Sequence, residues 1–301
     1  MSDDPPLLAV DLGGTRFKAG LVRAGIVEHA EVVEHDAHTL GDALAQLAPV
    51  IARLAPVVCP AAGLCVPGLV GDDSRVISLP GKLAGAQGFD LVGWLTKQTG
   101  GTAFVSNDAM AYGLGEAADE RRRTLVMTIG TGIGTAVVED GRLLGQGPRG
   151  GGVFGGSLPL TGAGTDVPLD TAGHAGTVEA WCRGTRLLAE VRNAGANAAD
   201  VRGAYALAQA GDVAARAGLE AYRGWLARGI AALCLAHGPD LVVLGGGLVR
   251  PDGLLLEGLA ERVQPLLWPG QTVQLRAARH GDTAALLGLD RLYRLSRTTR
   301  R

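Results

Sequence analysis

Two segments more than a hundred residues apart are built on one pattern, and that repetition limits the fold more than any other feature of the chain. The first, "LLAVDLGGTRFKAGLV" from Leu7 to Val22, runs an apolar strand into Asp11, turns on Gly13, Gly14 and Thr15, and leaves as a second strand. The second, "TLVMTIGTGIGTAVVEDGRLLG" from Thr124 to Gly145, again joins two apolar strands through a Gly/Thr turn (Thr131, Gly132, Gly134) and ends on the hairpin signal Asp140-Gly141. One such unit is a hairpin. Two predict a duplicated α/β chain whose halves can close around one ligand, a Gly-rich turn of each facing the cleft. Glycine lets backbone N–H groups approach phosphate oxygens and a threonine hydroxyl adds a short donor, so each turn suits a polyphosphate as well as a plain hairpin. A third glycine cluster, Gly245 to Gly247, favours phosphate for the set.

Between the two units the spacing predicts a strand near Ile26 to Val33, a helix over 39–54 with Thr39 as N-cap, and a buried strand in "VVCPAAGLCVPGLV" broken by Pro and Gly. "SNDAMAYGLGEAA" follows the short strand "TAFVS", which puts Asn107 and Asp108 at a strand end and helix start, within reach of a ligand. Ala204 to His237 reads as one or two long helices interrupted near Gly211-Asp212, leading into the strand of "PDLVVLGGGLVR". "GDTAALLGLDRLYRLSRTTRR" reads as a helix with a solvated basic tail.

A chain of 301 residues is one large domain or two lobes. Aromatic residues make up only 4%, so its core must come from Ala, Val, Leu and Ile. With 28 basic and 30 acidic residues no attraction to nucleic acid or to an anionic membrane is expected. Cys59, Cys65, Cys182 and Cys234 form no Cys-x-x-Cys pair, which predicts reduced, packed thiols in a cytoplasmic protein. The acidic start "MSDDPPLLAV" is unlike a signal peptide, and no run reaches the roughly 18 apolar residues of a membrane span.

Two other phosphate-binding patterns fail. No Gly-x-x-x-x-Gly-Lys-Ser/Thr is present, and "GTGIGT" is followed by a strand where a dinucleotide fingerprint needs a helix. Asp11 fits either a magnesium ligand beside nucleotide phosphates or a turn-capping carboxylate. Asp108 fits either a base that takes the proton of an attacking hydroxyl or, like Asn107, a helix cap.

Taken in order, "VDLGGT" (10–15), "PG" (67–68), "SLPG…GFDL" (78–91), "SNDA" (106–109), "TIGTGIG" (128–134), "VVLGGG" (242–247) and "GDTAALLG" (281–288) resemble the ROK family over nearly the whole chain. That family groups bacterial glucokinases and N-acetylhexosamine kinases with sugar-responsive repressors. The resemblance implies an actin-like ATPase fold of two lobes, a smaller one from 1–115 plus 281–301 and a larger one from 116–280. It implies ATP and Mg2+ as cofactors and often a homodimer. Asp108 matches the family's catalytic base, and Gly68, Asn107 and Glu179 match its sugar contacts. Gly13, Gly14 and Thr15 match one phosphate loop, Thr131, Gly132 and Gly134 the other, and Gly245, Gly246 and Gly247 the loop near the adenosine. With no helix-turn-helix ahead of the first strand, the repressor branch is disfavoured.

The chain also departs from the family. A Gly-Glu-Ile-Gly-His sugar motif is expected near Gly152 to Gly156, where Val153 replaces the glutamate and Gly156 the histidine. The zinc motif Cys-x-Cys-Gly-x-x-Gly-Cys-x-Glu falls on "DTAGHAGTVE", with Asp170, Ala172 and Thr177 at the cysteine positions, so no thiolate zinc site is expected. The longer segment before it, "LTGAGTDVPL", is a candidate for the zinc's structural task. Glu179 fits a sugar contact or a cap of the following helix. His174 fits an exposed loop residue or a replacement for the missing histidine, and His29, His35, His38, His237 and His280 show no paired spacing. The leading expectation is ATP-dependent phosphorylation of a sugar, with Asp108 as base. The alternatives are a sugar or nucleotide sensor of the same fold that has lost transfer, and an actin-like assembly ATPase.

Overall fold

The strand β1 (Leu7–Leu12) alternates strictly: Leu8, Val10 and Leu12 enter one buried cluster, Leu7 and Ala9 another on the opposite face. Asp11 falls on the Leu7/Ala9 side. β1 pairs antiparallel with β2 (Arg16–Arg23), Asp11 opposite Lys18, and β3 (Ile26–Glu34) follows across a turn with left-handed Ala24 and Gly25 (φ 49° and 79°). The computed structural model describes residues 5–55, 59–71, 73–79, 83–145, 153–162, 164–250 and 253–298.

The helix α1 (Leu40–Leu54) starts at Thr39, whose hydroxyl accepts the Asp42 N–H, and buries Leu40, Leu44, Leu47, Ile51 and Leu54 at helical spacing. β4 (Ala61–Val66), fully buried, lies parallel to β1. A small ribbon of β5 (Leu69–Val70) and β6 (Val76–Ser78) leads to α2 (Leu91–Thr99), which Gly100 ends at φ 70°. β7 (Thr102–Asn107) runs parallel beside β4 and passes directly into α3 (Asp108–Ala117). The sheet order is β3-β2-β1-β4-β7.

The second half repeats the plan. β8 (Thr124–Ile129) pairs antiparallel with β9 (Ile133–Glu139), and a turn with left-handed Asp140 and Gly141 (φ 49° and 70°) leads to β10 (Arg142–Leu143). After a 3-10 segment at Val153–Ser157 come α4 (Val178–Cys182), α5 (Gly184–Asn193), α6 (Val201–Gln209) and α7 (Val213–His237). The predicted interruption is real: Gly211 is left-handed and the Asp212 carboxylate caps α7 through the Ala215 N–H at 2.7 Å. β11 (Leu241–Gly245) lies parallel to β8, and beyond α8 (Leu259–Val263) β12 (Gln274–Ala277) lies parallel to β11. The order β9-β8-β11-β12 thus repeats β2-β1-β4-β7, a hairpin and two parallel neighbours.

The chain divides into two compact units. One takes the residues up to Asp119, those from Asp140, and those from Arg279 onward; the other takes Glu120–Glu139 and Val153–Ala278. The last helix, α9 (Ala284–Thr298), belongs to the first unit and packs on α3, with close backbone approach at two glycines. A Cβ at Gly115 would lie 1.9 Å from the Ala284 carbonyl oxygen, and one at Gly288 1.7 Å from that of Ala111. All four cysteines are free thiols and buried, and burial pushes the Cys234 thiol up to about 12. Among the described residues no helix is long and apolar enough to cross a membrane.

Candidate active site

In the first unit the register places Asp11, Cys65 and Ser106 side by side on β1, β4 and β7, at the carboxyl ends of three parallel strands. Ligands of α/β sheets bind at that end. Asn107 closes β7 and caps α3, its Oδ1 accepting the Met110 N–H at 3.0 Å, while its Nδ2 donates to the Gly68 carbonyl at 2.7 Å. One buried side chain therefore both starts the helix and fixes the 67–68 turn. Gly68 has φ 92°, and a Cβ there would meet the Ser78 carbonyl at 2.3 Å, so only glycine brings this backbone past β6. Asp108, the first residue of α3, is partly exposed and accepts the Ala109 N–H at 2.7 Å. The cap is thus Asn107, and the Asp108 carboxylate sits at the positive end of the helix.

The turn from Gly13 to Arg16 is closed by a Gly13 N–H bond to the Arg16 carbonyl at 3.0 Å and leaves Thr15 exposed. It is held from outside by His35. The Ala37 N–H donates to His35 Nδ1 at 3.2 Å, which assigns the ring proton to Nε2, and Nε2 donates to the Gly13 carbonyl at 2.9 Å. The imidazole also stacks on Phe17, with centroids 5.6 Å apart. Asp11 sits between two partners: the Cys65 thiol donates to Oδ1 at 3.6 Å, and the buried Lys18 ammonium lies 3.5 Å from Oδ2. Lys18 also reaches Asp282 Oδ1 at 2.9 Å, which Arg16 meets at 3.0 Å. Burial acts to raise the Asp282 carboxyl, but the Lys18 hydrogen bond and the charges of Lys18 and Arg16 outweigh it and hold the group below its ordinary value. Burial, then the Asp11 and Asp108 carboxylates, push the Cys65 thiol well above the thiol range.

In the second unit three segments meet at the end of β8. Gly246, at φ 86°, lies so close to Ile129 that a Cβ would stand 2.6 Å from its backbone N and O, and the Leu248 N–H donates to the Ile129 carbonyl. The Gly184 N–H, opening α5, donates to the Gly130 carbonyl at 2.9 Å. Glu179 closes the group. Its Oε2 accepts the Ile133 N–H at 3.1 Å and a Cβ on Gly132 would approach it to 2.8 Å, while Oε1 accepts from the Thr171 N–H and hydroxyl at 2.8 and 2.6 Å. Thr177, not Glu179, caps α4. The structure therefore brings the 131–134 turn, the 245–247 triplet and Glu179 together, and ties Glu179 to both the turn and the loop ahead of α4.

That loop carries the positions where cysteines were expected. Asp170, its side chain 3% exposed, accepts the Ala172 and His174 N–H groups through Oδ1 at 2.9 and 2.8 Å and the Thr177 hydroxyl through Oδ2 at 3.1 Å. Two residues at cysteine positions, Asp170 and Thr177, are thus bonded to each other. The longer segment before the loop is sewn to it by the Leu160 and Thr161 N–H bonds to the Gly176 carbonyl and by the Trp181 indole N–H bond to the Thr161 hydroxyl. Asp170 is spent within its own loop, while His174 is largely exposed, its Nδ1 3.5 Å from Asp170. In the altered 152–156 segment, Gly152 lies outside the described residues, as do Pro80 and Gly81. Gly156 packs on β9, where a Cβ would meet the Ile133 carbonyl oxygen at 2.8 Å. Among the described residues no group of three or more His, Cys, Asp or Glu stands ready to hold a metal.

Lys18, His35 and Asp282 were not singled out from the sequence. The only signal for Lys18 was its place four residues past the turn midpoint, and for Asp282 its place within "GDTAALLG"; neither reveals a pairing across more than 260 residues.

The family model described as "ROK family" matches residues 7–295. The chain is 28% identical to a glucokinase of Thermotoga maritima, over 94% of this chain and 95% of that one. It is 30% identical to an N-acetyl-D-glucosamine kinase of Erwinia tasmaniensis, over 92% and 96%. The crystal structure of a ROK hexokinase from Thermus thermophilus superposes with a TM-score of 0.79 at 30% identity, covering 97% of this chain and 99% of that one. The repeated hairpin-and-parallel-strand halves are those of the actin-like ATPase fold. The chain belongs to the ROK family.

Proposed function

We propose that this protein transfers the γ-phosphoryl group of ATP to a sugar hydroxyl. The observation that carries the reading is the row Asp11–Cys65–Ser106, which sets a Gly/Thr phosphate-type turn and the Asp108 carboxylate at the same end of one sheet. Asp108 accepts the proton of the attacking hydroxyl, a contribution of about 10²–10⁴ in rate for a positioned base. Asn107 and the Gly68 backbone orient the sugar, and Glu179 is assigned as a further sugar contact. The turns at Gly13–Thr15 and Thr131–Gly134 hold phosphate oxygens, with Gly245–Gly247 beside the adenosine. Magnesium suits Asp11, since the ion is commonly held by one or two carboxylates and completes its shell with phosphate oxygens and water; when bound it neutralises charge on the transferring group. Lys18, adjacent to Asp11, adds a second positive charge.

The relatives' names support a hexose or N-acetylhexosamine as acceptor. With Val153 and Gly156 where the family has glutamate and histidine, ordinary hexoses lose two polar partners, each worth about 1 to 3 kcal/mol. Either the preferred acceptor lacks the matching hydroxyls, or Asp166, Asp170 or His174 replaces the contacts; of these Asp170 is already bonded within its own loop. Four free, buried thiols fit a reducing compartment and support the cytoplasm, and a homodimer is what the family resemblance implies.

The test is magnesium-dependent ATP consumption against a panel of hexoses, N-acetylhexosamines and polyols, with Asp108→Ala alongside. Acceptor-dependent turnover is expected, falling at least a hundredfold in the variant with ATP affinity kept. ATP binding without turnover on any acceptor would replace the kinase with a sensor, the reading that the altered 152–156 segment favours.

A further inference from the structure

The buried carboxylate of Glu116 sits two turns along α3 from Asp108 and has no place in the chemistry proposed above. It gathers three consecutive backbone amides. Oε2 accepts the Arg279 N–H at 2.8 Å, and Oε1 accepts the His280 and Gly281 N–H groups at 2.7 and 3.2 Å. Successive amides turned to one side make an anion cradle, and here the anion is supplied from within the chain. The next residue is Asp282, whose Oδ1 holds both Lys18 and Arg16. A continuous path therefore runs from α3 through the 279–281 backbone to Asp282, on to Lys18, and from Lys18 to Asp11.

Holding two helices together does not require this carboxylate. α3 and α9 already meet backbone to backbone at Gly115 and Gly288. Burying a carboxylate carries a desolvation cost that packing alone would avoid. What Glu116 adds is the placement of the single turn Gly281–Thr283 that precedes α9 and presents Asp282 to β2.

We infer that Glu116 and Asp282 are positioning residues for the phosphoryl donor: Glu116 fixes the 279–281 backbone, and Asp282 thereby holds the Lys18 ammonium beside Asp11. The inference rests on the reading of the β1–β2 turn as a phosphate loop. One helix then sets both ends of the reaction, the proton acceptor at its first residue and the donor-facing cation through its last turn.

The experiment is calorimetric titration of Mg-ATP into the wild type, Glu116→Gln, Asp282→Asn and the double variant, with kcat and KM on the best acceptor and thermal unfolding in parallel. Each single change is expected to weaken Mg-ATP binding about tenfold, the equivalent of one charge-assisted contact. KM for ATP should rise more than kcat falls, and KM for the acceptor should stay. The double variant should be no weaker than the weaker single, because both act along one path. Unchanged Mg-ATP affinity in a folded Glu116→Gln, or losses that multiply in the double variant, would overturn the inference. Should Glu116→Gln not fold, Asp282→Asn alone decides, its exposed side chain being no part of the core. A wild type that binds no Mg-ATP would instead fail the phosphate-loop reading itself.

Discussion

Gly156 illustrates how a single position limits what the site can bind. A histidine placed there, restoring one of the two polar residues of the family's sugar motif, would start from a Cβ 2.8 Å from the Ile133 carbonyl oxygen and 3.3 Å from its Cβ. A backbone atom in a central hairpin cannot retreat, so Gly156→His should cost about 1 to 3 kcal/mol as an overpacked position. The expected outcome is a lower unfolding temperature with no gain in hexose affinity; a gain in affinity at unchanged stability would refute the packing reading. At this scale the sequence reveals what is local. Asn107 and Thr39 are legible as caps because a cap reaches only three residues ahead. His35, Lys18, Glu116 and Asp282 are not, because each acts on a partner 7 to 266 residues away that only the folded register brings near, or, for His35, on a turn 22 residues back.

Among the elements, the loop from Asp170 to Thr177 is held together by hydrogen bonds to one of its own carboxylates, at positions where the family resemblance implies cysteines. A single buried carboxylate accepts from three donors inside the loop, and Glu179 carries the constraint onward to the 131–134 turn. Asp170→Ala leaves those donors without partners and should cost about 2 to 4 kcal/mol, since bonds to a charged group are worth about 1.5 to 3 kcal/mol each and do not add fully. Proteolysis within 170–177 should accelerate in the variant. Treating the wild type with a chelator should leave its unfolding temperature unchanged; a fall on chelation would mean that a metal, not Asp170, organises the loop. The two hairpins, the strands β4, β7 and β11, the helices α1, α3, α6, α7 and α9, and the break before α7 follow from periodicity and punctuation; α2, α4, α5, α8 and β12 do not. The function of this loop does not, because "DTAGHAGTVE" reads as a degraded motif until the direction of the Asp170 side chain is known.

For the molecule as a whole, three carboxylates tie separate elements together and are each held below their ordinary value in the fold. Burial acts to raise Asp282, but Lys18 and Arg16 hold it low; a hydrogen bond from Arg53 on α1 lowers Glu31 on β3; and in Glu220 on α7, bonds from Arg262 and Arg223 overcome burial. A carboxyl lowered by folding contributes stability that is complete above its unfolded value near pH 4 and is lost as the pH falls through the folded value. These groups are solvated, so each contributes little and the loss is gradual. Asp290 works in the opposite sense. Burial raises it against the pull of Arg294 and the Gly25 N–H, so its contribution is present at low pH and is lost as the pH rises from about 4 toward the raised value. Unfolding temperatures measured from pH 7 down to pH 3 should therefore hold steady or rise slightly while Asp290 takes up its proton, then fall below about pH 4. Asp290→Asn removes the opposing contribution, so its curve should lack the rise and show only the fall, whatever its stability at pH 7. A variant curve parallel to the wild type across the whole range would mean that Asp290 carries the same charge folded and unfolded.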